Sequence, residues 1–172
     1  MLAVSPEGLP IWPEGFSGSI SHTDAVAIAL VCRRRDHSFI GVDIEPIPDA
    51  LTADAVGALI ADDQELAHLA ALSDVQSVIG AFCAKEALYK ALLPGRFLDF
   101  DAARICGGGA RELEIELTCD WTAAFAAGTV VVARLAVIDD HMVASVLGSR
   151  PHAGSAPHDF KLSIGCGRHG LA

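Results

Sequence analysis

Two short segments of this 172-residue chain carry side chains whose types and spacing could do chemistry. In "IGVDIEPI", residues 40–47, Asp43 and Glu45 stand two apart in an otherwise apolar run. On a strand, positions i and i+2 share a face with Cα atoms roughly 6.5–7 Å apart, so both carboxylates project together while Val42 and Ile44 project the other way. On a buried or half-buried face such a pair repels unless a cation neutralises it. Hard divalent ions of the magnesium kind are held by a few carboxylates, with the remaining positions left to water and phosphate oxygens. The plainer reading is a solvent-facing edge strand with both acids hydrated. In "FCAKEALYKAL", residues 82–92, Glu86 and Lys90 stand at i and i+4 on one helix ridge, and Lys85 lies about 100° around from Glu86. Taken alone, that pair is an ordinary exposed contact worth about 0.3–0.5 kcal/mol.

Positioning these groups requires a strand and a helix, and the surrounding sequence supplies both. After an opening rich in Pro and Gly, "AVAIALVC" (25–32) and "SFIGVDIE" (38–45) read as two strands, predicted to pair as a hairpin across the charged turn "RRRDH". Pro46 and Pro48 end the second strand. The spacing then predicts a helix over 52–72 with Thr52 as its N-cap, and another over 77–93, stopped by Pro94-Gly95. The run "GGG" at 107–109 reads as a turn before "RELEIELT" (111–118), which alternates acid and aliphatic like a strand with one wet face. A final hairpin is expected from "TVVVARLAVI" and "HMVASVL" around Asp139-Asp140, and residues 149–172 read as a flexible tail.

Composition narrows the function classes. With 12 basic and 22 acidic residues the formal charge is −10, and residues 1–75 hold 12 of the acids but only 3 of the bases. That balance argues against general attraction to nucleic acid or to an anionic membrane. The only basic run, Arg33-Arg34-Arg35, sits at the expected hairpin tip. No run reaches the roughly 18–20 apolar residues needed to span a bilayer, and the start lacks the pattern of a signal peptide, so a cytoplasmic protein is expected. Five widely spaced cysteines form no C-x-x-C and signal neither a disulfide framework nor a zinc site. Adjacent Ser21 and His22 point oppositely on a strand, which argues against a hydrolase pair.

Together, Gly41-Val42-Asp43-Ile44-Glu45 and Phe82-Cys83-Ala84-Lys85-Glu86-Ala87-Leu88-Tyr89-Lys90 resemble the two signature segments of the 4′-phosphopantetheinyl transferase superfamily. The upstream "PIWPEGFSGSISHT", Pro10 to Thr23, further resembles the enterobactin-synthetase type of that family. The resemblance implies an α+β fold of two related halves. It also implies transfer of phosphopantetheine from coenzyme A to a serine of an apo acyl, peptidyl or aryl carrier protein, with Mg2+ (or Mn2+) as cofactor and adenosine 3′,5′-bisphosphate released. Asp43, Glu45 and Glu86 would then be metal ligands, with Glu86 also accepting the serine proton. Lys90 would neutralise or protonate the departing bisphosphate, Lys85 would hold a phosphate oxygen, and Ser21 and His22 would meet the 3′-phosphate of coenzyme A.

Relatives of this type carry several dozen residues ahead of the Trp-Pro segment, so the chain is expected to keep only the end of the first half (residues 1–38) before the second half (39–148). A monomer is expected. A shortened noncatalytic paralogue that binds carrier protein, and a Mg2+-dependent nuclease using the D-x-E acids, remain alternatives; the nuclease sits poorly with lysines on a helix of an acidic protein.

Overall fold

The computed structural model describes residues 2–6, 8–92 and 99–149. Among the described residues, nine strands and three α-helices follow in a mixed α+β order. They are β1 (Ala3–Val4), β2 (Pro10–Ile11), β3 (Phe16–His22), β4 (Ala27–Arg33), β5 (Phe39–Pro46), α1 (Ala50–Ile60), α2 (Asp63–Ala67), α3 (Asp74–Leu92), β6 (Ala103–Gly109), β7 (Glu112–Leu117), β8 (Val130–Ile138) and β9 (His141–Gly148). The main sheet is antiparallel with order β5-β9-β8-β7-β6, which leaves β5 at one edge. Leu113, Ile115 and Leu117 of β7, with Ala133 and Leu135 of β8 and Ala144 and Val146 of β9, bury one face of that sheet against the helices, while Glu112 and Glu114 stay exposed. The alternation seen in "RELEIELT" is thus a real one-sided strand, and the β8–β9 hairpin turns at Asp139-Asp140, where Asp139 takes a left-handed φ of 53°.

The expected hairpin between residues 25–32 and 38–45 does not form. β4 pairs with β3, and β5 pairs with β9. The reason is packing: Ile28 and Leu30 of β4 cover Val42, Ile44 and Val143 on the outer face of the sheet, so β4 meets β5 face to face rather than edge to edge. Two other boundaries shift. The helix expected over 52–72 breaks at Ala61, whose extended backbone ends α1, and the Asp62–Glu65 capping box starts α2. The N-cap of α1 is Asp49, whose side chain accepts from the Thr52 amide at 2.8 Å, so Thr52 lies inside the first turn. The glycines at 107–109 close β6 instead of forming a turn, beside a bulge between Ile105 and Gly107. The stop signal at Pro94-Gly95 and the tail expected over 150–172 lie outside the described residues.

β5 and α3 touch through Gly41. A Cβ there would run into the Ala87 carbonyl oxygen and come within 2.6 Å of the Ala91 amide nitrogen. Strand and helix axes can approach this closely because that position has no side chain. The contact puts the face of β5 that carries Asp43 directly under the ridge of α3 that carries Lys90.

Candidate active site: an acidic cluster with one lysine in a cavity beside the β3–β4 hairpin

A cavity of about 810 Å³ runs beside β3, walled by Trp12 and residues 17–22 on one side and by Phe39, Ile40, Asp43 and Glu45 of β5 with Glu86, Lys90 and Ala91 of α3 on the other. The strand's period of two delivers Asp43 and Glu45 to it, and the helix's i, i+4 spacing delivers Glu86 and Lys90. All four therefore line one space; spacing predicted only that the members of each pair share a face.

Asp43 is only 2% exposed. Its Oδ1 accepts from Lys90 Nζ at 2.6 Å and from Ser21 Oγ at 2.8 Å, and Lys90 Nζ also donates to Ser21 Oγ at 3.0 Å. Its Oδ2 is buried without a hydrogen-bond partner of ordinary geometry, although the buried Cys83 thiol of α3 lies against the carboxylate. A buried, orphaned carboxylate oxygen is costly and calls for a cation or a donor. Burial raises Glu45 above the ordinary carboxylate range, Asp43 raises it further, Lys90 opposes the rise, and Glu86 adds to it. Glu86 is raised by the same causes in order: burial, then Asp43, with Lys90 opposing. The three acids therefore sense one another in a site with too little positive charge. Among the described residues, no group of three or more His, Cys, Asp or Glu side chains stands close enough, as placed, to hold a metal ion. What would suit a hard cation is the donor chemistry alone: the unpartnered Oδ2 of Asp43, with Glu45 and Glu86 raised beside it, puts three oxygen-donor acids on one cavity.

Lys85 is a correction. It was expected to hold a phosphate oxygen, but it is 2% exposed and points into the opposite side of α3. Its Nζ lies 2.8 Å from Glu65 Oε1, 2.8 Å from the Ile60 carbonyl and 3.1 Å from the Phe100 carbonyl. The rotation of about 100° between neighbouring helical residues turns it away from the cavity. Ser21 is buried in the Asp43–Lys90 contact, and His22 is exposed on the cavity wall.

Sequence reasoning missed how β3 is fastened. Ser19 Oγ accepts from the Val42 amide at 3.0 Å, Ser21 reaches Asp43, and Thr23 Oγ1 lies 3.4 Å from His141 Nε2. Hydroxyls at every second residue of "SISHT" form a seam between the hairpin and the sheet; the period-two Ser-x-Ser-x-Thr pattern was the available signal. Arg34 was also passed over as a cavity residue. It lines the cavity, with Nε donating to the Phe16 carbonyl at 2.9 Å.

Residues 39–143, which hold β5, α3, β6–β8 and the start of β9, match the 4′-phosphopantetheinyl transferase superfamily. The chain belongs to that superfamily. Residues 1–32 match the 4′-phosphopantetheinyl transferase N-terminal domain, so the cavity lies where the two matched regions meet. Enterobactin synthase component D of Salmonella typhi is 35% identical over 128 residues, 70% of this chain and 51% of that protein. The 4′-phosphopantetheinyl transferases Svp of Streptomyces mobaraensis and PptT of Mycobacterium tuberculosis are 38% identical over 104 residues and 36% identical over 108 residues. Those matches take in 57% and 58% of this chain, and 42% and 44% of the two relatives. The chain spans about half the length of the curated relatives it matches. Within the described residues, no helix is long and apolar enough to cross a membrane.

Proposed function

We propose that the protein transfers 4′-phosphopantetheine from coenzyme A to a serine hydroxyl of an apo carrier protein of the acyl, peptidyl or aryl kind. The observation that carries this reading is a single cavity lined by Asp43, Glu45, Glu86 and Lys90, in which Asp43 Oδ2 is buried and unpartnered. Family membership supports it, as do relatives that are themselves named as 4′-phosphopantetheinyl transferases.

Phosphoryl transfer is catalysed chiefly by positioning and by neutralising charge on the phosphate oxygens. Asp43, Glu45 and Glu86 would hold a Mg2+ or Mn2+ ion, which when bound supplies charge neutralisation to the diphosphate of coenzyme A. Glu86 accepts the proton of the attacking serine, directly or through a water; its raised pKa brings it nearer the working pH of a general base. The serine oxygen forms a new bond to the phosphorus that carries pantetheine, and the bond from that phosphorus to the bridging diphosphate oxygen breaks. Lys90 neutralises or protonates the bisphosphate that leaves. His22, exposed on the cavity wall, meets the 3′-phosphate.

The test is incubation with Mg2+, coenzyme A and apo carriers of the three kinds, read by intact mass. Transfer gives a phosphopantetheine adduct that is lost in Glu86→Ala and on chelation of the metal. A stable complex with carrier but no adduct would instead make the chain a carrier-binding module.

A further inference from the structure

The family resemblance pairs Ser21 with His22 at the nucleotide 3′-phosphate, but the hydroxyl's surroundings argue for a different task. A serine hydroxyl has one proton to give and two lone pairs to receive with. The proton goes to Asp43 Oδ1 at 2.8 Å, because an ionised carboxylate can only accept, and one lone pair takes Lys90 Nζ at 3.0 Å. What remains is a single acceptor site on a buried oxygen. A phosphate group needs donors, and Ser21 has none left.

The same three-way contact settles the orientation of Asp43. Ser21 and Lys90 both engage Oδ1, leaving Oδ2 as the orphan. Two residues earlier on β3, Ser19 makes the equivalent reach to the neighbouring β5 position, the Val42 amide. Both serines of "SIS" are therefore turned toward β5, with Ile20 between them exposed.

We infer that Ser21 is a positioning residue: it fixes the Asp43 carboxylate and the Lys90 ammonium relative to each other, so that Oδ2 is presented to the cation, and it does not recognise the 3′-phosphate. This deepens the proposed function and rests on it for the identity of the ligands. Hydrogen-bond partners that orient a ligating carboxylate typically change metal affinity about 10–100-fold when removed.

The experiment compares the full-length chain with Ser21→Ala, Ser21→Cys and Ser21→Thr. Each is titrated with Mn2+ alone, followed by paramagnetic resonance, and then, with Mn2+ present, with coenzyme A and 3′-dephospho-coenzyme A by calorimetry. Ser21→Ala and Ser21→Cys are expected to weaken Mn2+ binding by about tenfold or more, and Ser21→Thr, which keeps the hydroxyl, to restore most of it. The ratio of affinities for the two coenzymes stays as in the wild type, because the lost hydroxyl never touched the group in which they differ. The Cys variant keeps the side chain's size and controls for a folding defect in the Ala variant. Wild-type Mn2+ affinity in Ser21→Ala, or loss of coenzyme A binding with 3′-dephospho-coenzyme A binding retained, overturns the inference while leaving the transferase reading intact. A wild-type chain that binds neither Mn2+ nor coenzyme A sinks the transferase reading itself.

Discussion

Asp43 keeps its two oxygens in different company, one shared by a hydroxyl and an ammonium and the other without either, and beside it Glu86 and Glu45 have raised pKa values, first through burial and then through the Asp43 charge. Glu86→Gln should therefore separate stability from chemistry. Its folded-state pKa is raised, so ionisation costs folded-state stability once the pH exceeds the ordinary value of about 4.3. Removing that charge should raise the melting temperature of the metal-free chain at pH 8. The gain should vanish toward about pH 3, below the ordinary value, where the carboxyl is protonated in folded and unfolded chains alike. Transfer to carrier should be lost at every pH. Thermal melts at the two pH values, beside the adduct assay, check all three outcomes. Lys85 makes the opposite case. Its ammonium serves only the interior, so Lys85→Met strands Glu65 in a buried position and should cost about 3–5 kcal/mol, read by urea denaturation. The acids were legible in the sequence because strand and helix periods fix which side chains share a face. The two lysines were not separable in role, since only the neighbours of α3 decide which of its faces is core and which is cavity.

The site depends on how close β5 lies to α3, and Gly41 sets that distance. Gly41→Ala forces a methyl against the Ala87 carbonyl and should cost about 1–3 kcal/mol in a urea titration. It should also weaken Mn2+ binding, because the helix that carries Glu86 must move away from the strand that carries Asp43. Most elements could be read from their periodicity; their pairing could not. β4 and β5 are both apolar, adjacent in sequence and separated by a charged turn, which is a sound local case for a hairpin. What overrides it is long-range: β9 takes the ladder edge of β5, and β4 is needed to cover the outer face at Val42 and Ile44. The break at Ala61 was readable in principle, because Asp62 followed three residues later by Glu65 is a capping box inside an apparently continuous helix.

At the scale of the whole molecule, a formal charge of −10 bears on any acidic protein partner. Under the transferase reading, an acidic carrier meets a like-charged enzyme, and its approach is slowed by a field that salt screens within about 10 Å at 0.1 M. The second-order rate of carrier modification should therefore rise as salt is raised from low to physiological strength. Stopped-time mass measurements at a series of salt concentrations check the direction. The hairpin wall of the cavity is joined to the sheet edge by side-chain hydroxyls rather than by a backbone ladder, and one consequence concerns observation. The Val42 amide owes its partner to Ser19 alone. Its exchange with deuterium thus reports whether the wall is seated, at a single backbone position a few ångströms from the chemistry, and a wall that lifts to admit the coenzyme would show itself there before the rest of β5 exchanged.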